Sequence, residues 1–540
     1  MTTARRKPVQ RQPLNSQDEY FLDTDTHTAP THVGGLEIYE LPPGAGRDYM
    51  QQLFAYLKNS PVRAEPFNYR LVTVEPEEPK ALGGVRLPGS MKRKPKPVRM
   101  WEKLDHVNVE EHLYLHALPR PGGQRELGEL VARLHVNRLD RHRPLWEVHL
   151  IEGLEGGRFC IYTKLHHSQF DGTRGMALVK YVRSPDPKAR NIPPMWAVEL
   201  PARPDKGAGR RDKDDSTFEK LASWGRAVRS MAQVRGNKPG QGVIAPYSAP
   251  ASILNGPLTA RRRIGTQTLS MPRLKAIGAA VEGGATVNEV LLAVCGGALR
   301  RYLLDRDALT QVPLIAACPV AMERKDDVAS GNAVGQILVS LATHVANPKK
   351  RLQEVVESSR ANKALMKELG QEAYSHYTEL SMMPQVLSAN SSFGHKVLNA
   401  NLVISNVPGP REPQYVNGAR IEAQYTTSML LAGQALNITV CSFDEQLDMG
   451  ILACPDLCPS PQRIAVYAGE EVAVLEDALG LKPPARKRKA AVRRAEATKA
   501  PARKTPVRKT AARKATAATT GRKTTGRKTT VRPPSAGGRR

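Results

Sequence analysis

The composition of the chain changes abruptly near residue 482, and this break limits where a folded core can form. Residues 482–540 hold 21 Lys and Arg but one acidic residue, Glu496, so they carry +20 of the chain's formal net charge of +28. The first 481 residues therefore carry only +8. Besides its charges, the segment is mainly Ala, Thr, Pro and Gly, which cannot bury enough apolar surface to offset chain entropy. We expect a disordered basic tail over residues 482–540.

The basic tail also predicts a class of partner. Dense Lys and Arg on a flexible chain bind polyanions by releasing counterions, with strong salt dependence and little sequence preference. DNA, RNA, polyphosphate and anionic lipid all meet this description, so we expect a nucleic acid or another polyanion as the partner of residues 482–540. The alternative is a solubilising tail that has no dedicated partner.

The first 481 residues are too many for one hydrophobic core, so at least two domains are expected. Residues 184–250 are rich in Pro, Gly and charge, which is typical of a connection between domains. The predicted organisation is a flexible N-terminus (1–14), an N-terminal domain (15–183), this connection (184–250), a C-terminal domain (251–481) and the tail (482–540). Helix and strand patterns mix without regular alternation, which predicts an α+β fold.

One helix is predicted inside the connection. Residues 216–219 fit a capping box, in which the first and fourth residues satisfy each other's backbone amides. An apolar stripe at helical spacing is formed by Phe218, Leu221, Trp224, Val228 and Met231. We favour a crossover helix packed on the two domains, with an interfacial membrane helix as the alternative.

The second half carries further clear patterns. Apolar spacing predicts helices at 286–304 and 349–366, and apolar runs predict strands at 312–320 and 402–406. Residues 437–443 and 447–453 predict a hairpin that turns at Asp444, Glu445 and Gln446.

Cysteine usage and hydropathy indicate the compartment. The six cysteines show no paired framework and several lie in apolar runs, so we expect reduced, buried thiols in a cytoplasmic protein. Cys454 and Cys458 have no second pair of ligands near them in the sequence, so no metal site is expected. We find no secretory signal after the basic N-terminus and no apolar run of about 18 residues that predicts a membrane span.

The clearest chemistry lies in the segment His166-His167-Ser168-Gln169-Phe170-Asp171-Gly172. It follows an alternating run at 159–165 that predicts a half-buried strand, and a helical pattern comes after it. At the end of a strand a scaffold can hold a base rigidly at a cleft, and histidine accepts a proton near neutral pH. Asp171 can fix the loop or an imidazole tautomer, and Gly172 allows a close approach. The alternative is a pair of structural histidines followed by an ordinary Asp-Gly turn.

The order HHxxxDG is the signature of the CoA-dependent acyltransferase superfamily. Further motifs follow the same order along the chain: residues 18–22 and 30–36, Pro144-Leu145-Trp146, Asn288-Glu289, Gly331-Asn332 and the loop 405–410. From about residue 18 to residue 479 the chain resembles the bacterial wax ester synthase/diacylglycerol acyltransferase family. In that comparison residues 18–36 look like the family's first strand, and Glu289 replaces an Asp.

The resemblance implies two domains of the chloramphenicol acetyltransferase type with a channel between them. It implies acyl-CoA as co-substrate, with no permanently bound cofactor and no metal. His167 would take the proton from an acceptor hydroxyl, and the alkoxide would attack the thioester carbonyl and expel CoA. His166 would be an orienting neighbour, and Asp171 would hold the loop.

The other motifs receive weaker assignments. Asn288 is the preferred donor to the oxyanion, with capping of its own helix as the alternative, and Ser442 is a weaker candidate. Packing and domain contacts are expected for Pro144, Leu145 and Trp146, and a place in the channel wall for Gly331, Asn332 and the loop 405–410. Ser168 and Gln169 make the histidine loop more polar than the usual family pattern, which can alter acceptor choice. The longer Glu289 side chain can reduce activity if that carboxylate organises the site.

The expected function is transfer of a fatty acyl group from acyl-CoA to diacylglycerol, to a long-chain alcohol, or to both. Such substrates imply a cytoplasmic protein attached peripherally to the inner membrane or to lipid inclusions. The alternative is a weak or inactive acyltransferase-fold protein that tethers lipid inclusions to DNA or another polyanion through its tail. A condensation-type enzyme that acts on carrier-bound thioesters is a third possibility, although we find no carrier region in the sequence.

Overall fold

A computed structural model describes residues 9–75, 97–170, 178, 181–198, 216–235, 242–321, 334–388 and 396–481. These residues belong to the unit Met1–Pro484, and the predicted tail lies outside them. The α-helices are α1 (Ser16–Thr24), α2 (Tyr49–Lys58), α3 (Gln124–Val136), α4 (Ser216–Val234), α5 (Met271–Ala280), α6 (Val287–Leu304), α7 (Pro348–Ser388) and α8 (Pro461–Ala478). The strands are β1 (Arg11–Pro13), β2 (His32–Glu40), β3 (Tyr69–Val74), β4 (Val98–Lys103), β5 (Leu113–Ala117), β6 (Trp146–Leu154), β7 (Arg158–His166), β8 (Arg263–Ser270), β9 (Ile315–Ala321), β10 (Val334–Ser340), β11 (Leu402–Val407), β12 (Tyr415–Val416), β13 (Ala419–Thr427), β14 (Leu436–Phe443) and β15 (Gln446–Ala453).

Two six-stranded sheets and one small sheet organise these elements. The first sheet has the order β12-β13-β2-β7-β6-β5, in which only β5 and β6 are parallel neighbours. The second has the order β10-β9-β11-β14-β15-β8, and β11 runs parallel to both of its neighbours. The small sheet, β1-β4-β3, is antiparallel. The α+β prediction is confirmed.

Strand β13 joins the two halves of the fold. It lies late in the sequence, yet it completes the first sheet by pairing antiparallel with β2. A bulge between Ile421 and Ala423 shifts the register, so these residues enter the cores on opposite faces of the sheet. Gly450 of β15 allows β13 to pass close by, because an added Cβ would lie 2.1 Å from the carbonyl oxygen of Thr426. The boundary predicted at residue 251 therefore does not by itself separate the two sheets.

Each sheet has its own hydrophobic core. One face of the first sheet packs around Trp146 and Phe159, and the other packs against α3 through Val131 and Tyr162. The second sheet packs against α6, which is apolar on almost every side and is buried along most of its length. Gly297 lets α8 approach α6, since an added Cβ would meet the Glu471 carboxyl group.

Most of the predicted elements of the second half are confirmed. The helix at 286–304 is α6, the strand at 402–406 is β11, and the hairpin is β14 and β15. The helix predicted at 349–366 continues to Ser388 across a non-helical Gly370 (φ 73°, ψ 170°). All six cysteines are free and buried. None of the helices within the described ranges has the length and apolar character that would let it span a bilayer.

One element near the N-terminus differs from its prediction. Residues 18–22, expected in a first strand, belong to helix α1, and the strand β2 begins only at His32. The physical reason is local, because the Asn15 side chain accepts the amide N–H of Asp18 and caps the helix. Asp18 and Glu19 then lie in the first turn, where acidic side chains interact favourably with the helix dipole.

The connection helix is confirmed as α4, but of its predicted apolar stripe Met231 packs on the core while other members do not. The side chains that are buried among the described residues of α4 are Ser223, Ala227, Ser230 and Val234, a face of mainly small residues that lets α4 lie close to α7. Trp224 and Val228 of the predicted stripe remain exposed. The side chains of Phe218 and Leu221 lie outside the described part of the chain.

Candidate active site

The histidine pair lies where β7 ends beside β2. His166 is opposite His32 in this antiparallel pair, and the amide of His167 donates to the carbonyl oxygen of Thr31 at 3.0 Å. The chain then turns, with the amides of Gln169 and Phe170 both donating to the His166 carbonyl oxygen at 3.1 Å. Because consecutive side chains of an extended segment point to opposite faces, His166 and His167 face different surroundings.

His166 is buried, and its ring is held on both sides. Nδ1 accepts the amide N–H of Ser168 at 3.2 Å and lies 2.7 Å from the Ser168 hydroxyl. Nε2 lies 3.2 Å from the hydroxyl oxygen of Thr31, whose proton is donated to the carbonyl oxygen of Phe21. Since Nδ1 is an acceptor, the proton of the neutral ring is on Nε2. These contacts fix the ring in one orientation at the base of the loop.

A buried carboxylate, Asp25, supports this arrangement. Its Oδ2 accepts hydrogen bonds from Arg138 Nη2 at 2.7 Å and Arg141 Nη2 at 3.1 Å, and lies 3.8 Å from His166 Nε2. Its Oδ1 accepts the amide N–H of Thr31 at 3.2 Å. Burial raises the pKa of the Asp25 carboxyl, but the interactions with His166 and Arg138 outweigh this effect and hold the pKa well below its usual range. Asp25 therefore carries a negative charge beside His166 at neutral pH.

A second buried charge, Lys164, holds the C-terminal end of helix α3. Arg138 lies two residues after this helix ends. The Lys164 ammonium group donates to the carbonyl oxygen of Asn137 at 2.7 Å and to Glu147 Oε2 at 3.0 Å. Burial lowers the pKa of Lys164, while Glu147 raises it in part. A cation at the C-terminus of a helix also interacts favourably with the helix dipole. Nearby, burial lowers the pKa of His135 to about 3, so this ring is neutral.

His167 is half-buried, and an aromatic ring covers one of its faces. The ring of Phe21, from α1, lies with its centroid 4.2 Å from that of His167 and its plane inclined by 31°. Phe21 is itself buried, so it forms a fixed wall against which the imidazole rests. His167 is therefore positioned from two directions, by its backbone bond to Thr31 and by this ring contact.

The Pro144-Leu145-Trp146 motif is buried and holds the histidine loop against β6. The carbonyl oxygen of Leu145 accepts the amide of His166 at 3.1 Å, and the amide of Leu145 donates to Gln169 Oε1 at 3.3 Å. Gln169 also donates through Nε2 to the carbonyl oxygen of Tyr69 at 3.1 Å. The polar side chains of Ser168 and Gln169 are thus engaged in hydrogen bonds that support the loop.

The Asn288-Glu289 motif begins helix α6. Thr286, not Asn288, caps this helix, and Glu289 completes a capping box by accepting the amide of Thr286 at 2.9 Å. Lys363 donates to the other carboxylate oxygen of Glu289 at 3.1 Å. The amide group of Asn288 remains half-exposed and accepts a bond of 3.4 Å from Asn406, at the end of β11. Glu289 has a structural role here, while Asn288 is free of the capping role.

The late loop at 405–410 packs on strand β14. The amide of Gly409 donates to the Ser442 hydroxyl at 3.0 Å, and an added Cβ on Gly409 would lie 2.1 Å from the carbonyl oxygen of Ser442. This contact explains why a glycine and a serine face each other at this point. It occupies the hydroxyl oxygen of Ser442 as an acceptor.

Several predicted site residues can be compared directly with these contacts. The structure brings His166 and His167 to Thr31, Leu145 to His166, and Asn288 to Asn406. Asp171, Gly172, Gly331 and Asn332 lie outside the described residues. The sequence did not predict that Phe21, Asp25 and Thr31 lie next to the histidines. The available signal was their position within or between the motifs at 18–22 and 30–36.

Two known protein domains match the sequence of this chain. The wax ester synthase/diacylglycerol acyltransferase catalytic domain matches residues 91–291, and the WS/DGAT C-terminal domain matches residues 330–476. The chain belongs to this family. It is 36% identical over 472 residues to a probable diacylglycerol O-acyltransferase of Mycobacterium tuberculosis, covering 86% of this chain and 98% of that protein.

Two further members of the wax ester synthase/diacylglycerol acyltransferase family are also similar to this chain. The O-acyltransferase WSD of Acinetobacter baylyi is 33% identical over 484 residues, covering 86% of this chain and 97% of that protein. The solved structure of the wax ester synthase/diacylglycerol acyltransferase from Marinobacter aquaeolei superposes with a TM-score of 0.68 at 33% identity. It covers 87% of this chain and 100% of that one. The family prediction is confirmed, and the protein is an acyltransferase.

Proposed function

We propose that this protein transfers a fatty acyl group from acyl-CoA to the hydroxyl of diacylglycerol, a long-chain alcohol, or both. The relatives named above carry both descriptions, diacylglycerol acyltransferase and wax ester synthase. For this chain, the proposal rests on the different surroundings of its two adjacent histidines. His166 is buried with both ring nitrogens engaged, whereas His167 is half-buried against the Phe21 ring.

His167 is the proposed general base. A neutral imidazole held by its backbone and by an aromatic wall can take the proton of an acceptor hydroxyl without first reorganising. The oxygen then attacks the carbonyl carbon of the acyl-CoA thioester, the tetrahedral intermediate collapses, and the C–S bond breaks. The departing CoA thiolate takes up the proton from the His167 imidazolium, which restores the neutral base. Acyl-CoA is consumed as a co-substrate, and the step requires no resident cofactor.

His166 and Asp25 are proposed as positioning residues. The ionised Asp25 favours the Nε2–H tautomer of His166, and His166 in turn holds the amide of Ser168, the residue after the base. We also propose that Asp171 holds the far side of this loop, that Gly172 permits its turn, and that Gly331 and Asn332 line the substrate channel.

Asn288 is the proposed donor to the developing oxyanion. Its side chain is not needed as a helix cap, because Thr286 fills that position. The N–H groups of its amide therefore remain available to a negatively charged oxygen, and a donor of this kind typically contributes about 10²–10³ in rate.

The test is release of CoA from palmitoyl-CoA by the full chain, with diolein, hexadecanol or no acceptor. His167→Ala should lower acceptor-dependent release by a factor of about 10²–10⁴, which is the usual contribution of a general base. His344→Ala, at an exposed histidine in the second half, is the matched control and should leave the rate unchanged. Equal rates for wild type and His167→Ala would refute the assignment of the base.

The basic segment 482–540 is proposed to bind a polyanion, of which nucleic acid is one class, independently of the acyl transfer. Its +20 charge supports this, because such a segment releases counterions on binding. Filter binding of the full chain to DNA should weaken steeply between about 50 and 200 mM salt. Removal of residues 485–540 should abolish DNA binding and leave CoA release intact; persistence of salt-sensitive binding would contradict the proposal.

A further inference from the structure

Helix α4 leaves large apolar side chains in solvent. It packs through Ser223, Ala227, Ser230 and Val234, which repeat at the i, i+4, i+7, i+11 spacing of one helical face. Trp224 is 37% exposed and Val228 is 55% exposed, one turn apart on a neighbouring face. Trp224 and Val228 lie outside this packing face, so they are available to another surface.

Helix α7 continues this exposed surface. The Trp224 ring stacks on His376 with centroids 4.2 Å apart and planes inclined by 20°. His376, Leu380, Met383 and Leu387 repeat at the spacing of one helical face, which extends about 16 Å along the axis. Leu380 packs on the core, whereas Met383 is 46% and Leu387 is 78% exposed. The stacked rings therefore join the exposed side chains of the two helices.

A tyrosine extends the surface at its α7 side. The Tyr247 hydroxyl donates to the carbonyl oxygen of Ser381, and the side chain is 37% exposed. Together these side chains form what we call the α4–α7 surface, made of Trp224, Val228, Tyr247, Met383 and Leu387. Two of the five are aromatic residues with a polar N–H or O–H group, the type that is enriched at bilayer interfaces.

The charges around the α4–α7 surface are mainly positive. The part of α4 from residue 222 onward, with the residue that follows the helix, carries exposed Arg226, Arg229 and Arg235 and no acidic residue. On α7, Glu379 lies beside the surface and is 3.6 Å from His376, and residues 380–388 carry no charge. Arginines beside exposed apolar and aromatic side chains match an anionic lipid surface, which offers both negative head groups and hydrocarbon.

We propose that the α4–α7 surface docks this protein on an anionic lipid surface, with Trp224 inserted at the boundary between head groups and acyl chains. The inference goes beyond the proposed function, because it concerns what the protein binds and not what it converts. Helix α4 then has two roles, because Ala227, Val234 and Met231 pack on the protein while Trp224 and Val228 face outward.

Tryptophan fluorescence offers a direct test on the full chain. The sequence has four tryptophans; Trp101, Trp146 and Trp196 are buried, so Trp224 is the one that external quenchers can reach. Vesicles of phosphatidylcholine with about 30% phosphatidylglycerol, with and without brominated acyl chains, serve as the probe at about 0.5 M salt, where binding by the tail is screened. Brominated chains should quench a large part of the Trp224 emission and shift it to the blue.

Paired variants test the surface and keep Trp224 as the reporter. Val228→Ser/Leu387→Ser should weaken vesicle binding about tenfold or more, because two apolar side chains lose their burial in lipid. Val466→Ser/Val474→Ser changes two exposed apolar side chains on α8, 40% and 43% exposed, and should leave binding within about twofold of wild type. At about 0.1 M salt, where head-group charges are less screened, Arg226→Gln/Arg229→Gln should weaken binding to vesicles with phosphatidylglycerol more than to pure phosphatidylcholine.

Three outcomes would overturn the proposal. Vesicle binding without quenching of Trp224 would assign the binding to another part of the chain, such as the tail. Equal losses in the surface and α8 variants would show that the effect is not local. Self-association that depends on Val228 and Leu387, without lipid binding, would make a second copy of the chain the occupant. His167→Ala should bind vesicles like wild type, so a failure of acyl transfer would leave this inference standing.

Discussion

The carboxyl group of Asp448 lies buried at the junction of the two sheets, and its charge should make folding stability depend on pH. Oδ2 accepts the amide N–H of Gln424 in β13 at 2.8 Å, and Oδ1 accepts the hydroxyl of Thr268 in β8 at 2.7 Å. Burial raises the pKa of Asp448 to about 6 from its usual 3.8, although the hydrogen bonds from Thr268, Gln424 and Gln446 oppose this effect.

The direction of the pH effect follows from proton binding. Between pH 3.8 and about 6 the folded protein holds a proton on Asp448 that the unfolded chain has lost. The free energy of unfolding therefore falls as the pH rises through this window, and above it the full cost of the buried charge remains. A difference of about two pKa units, at about 1.36 kcal/mol each, gives about 3 kcal/mol.

Asp448→Asn should remove this pH dependence because asparagine has the shape of the protonated acid. Its Nδ2 can donate to the Thr268 hydroxyl, which can in turn donate to the Tyr425 hydroxyl 3.0 Å away. Its Oδ1 can accept the amide of Gln424. We expect the variant to equal wild type at pH 4 and to exceed it by up to about 3 kcal/mol in free energy of unfolding at pH 8.

Urea unfolding of the full chain at pH 4, 6 and 8, followed by tryptophan fluorescence, measures this difference. Asp477→Asn, at an exposed residue in the last turn of α8, is the matched control and should shift little with pH. A stability difference between wild type and Asp448→Asn that is constant from pH 4 to 8 would refute the reasoning. So would a variant that is less stable than wild type at pH 8.

Three further substitutions test other parts of the argument. Asp25→Asn should lower the free energy of unfolding by about 1–3 kcal/mol at neutral pH. This range is reduced because the arginine partners of Asp25 are one third exposed to solvent. The kcat of the variant should fall without a matching rise in KM. Gly450→Ala should destabilise the fold by about 1–3 kcal/mol in urea unfolding, because its Cβ would meet the Thr426 carbonyl oxygen of β13. Glu289→Ala should lower the free energy of unfolding by about 1–2 kcal/mol, because the capping box of α6 and the hydrogen bond from Lys363 are lost. The KM for the acceptor should be unchanged.

Local periodicity was enough to predict the elements whose buried apolar residues follow one continuous pattern. Helix α6, strand β11 and the β14–β15 hairpin each carry their signal within a short window of sequence. Pairings between distant segments carry no such signal. The insertion of β13 beside β2 brings Tyr425 opposite Leu36, and nothing near either residue specifies that partner. The packing of α4 was misjudged for a related reason, since a face of small residues has a weak hydrophobic pattern yet allows the closest approach.

The two histidines show why the motif alone could not separate base from support. They are neighbours in sequence, so local composition gives them the same environment. Tertiary structure distinguishes them, because an extended segment sends them to opposite sides. On one side Asp25, Thr31 and Ser168 engage both nitrogens of His166, and on the other the ring of Phe21 supports a half-buried His167. The assignment of the base therefore depends on residues of α1 and of the segment between α1 and β2, which lie more than 130 positions earlier in the chain.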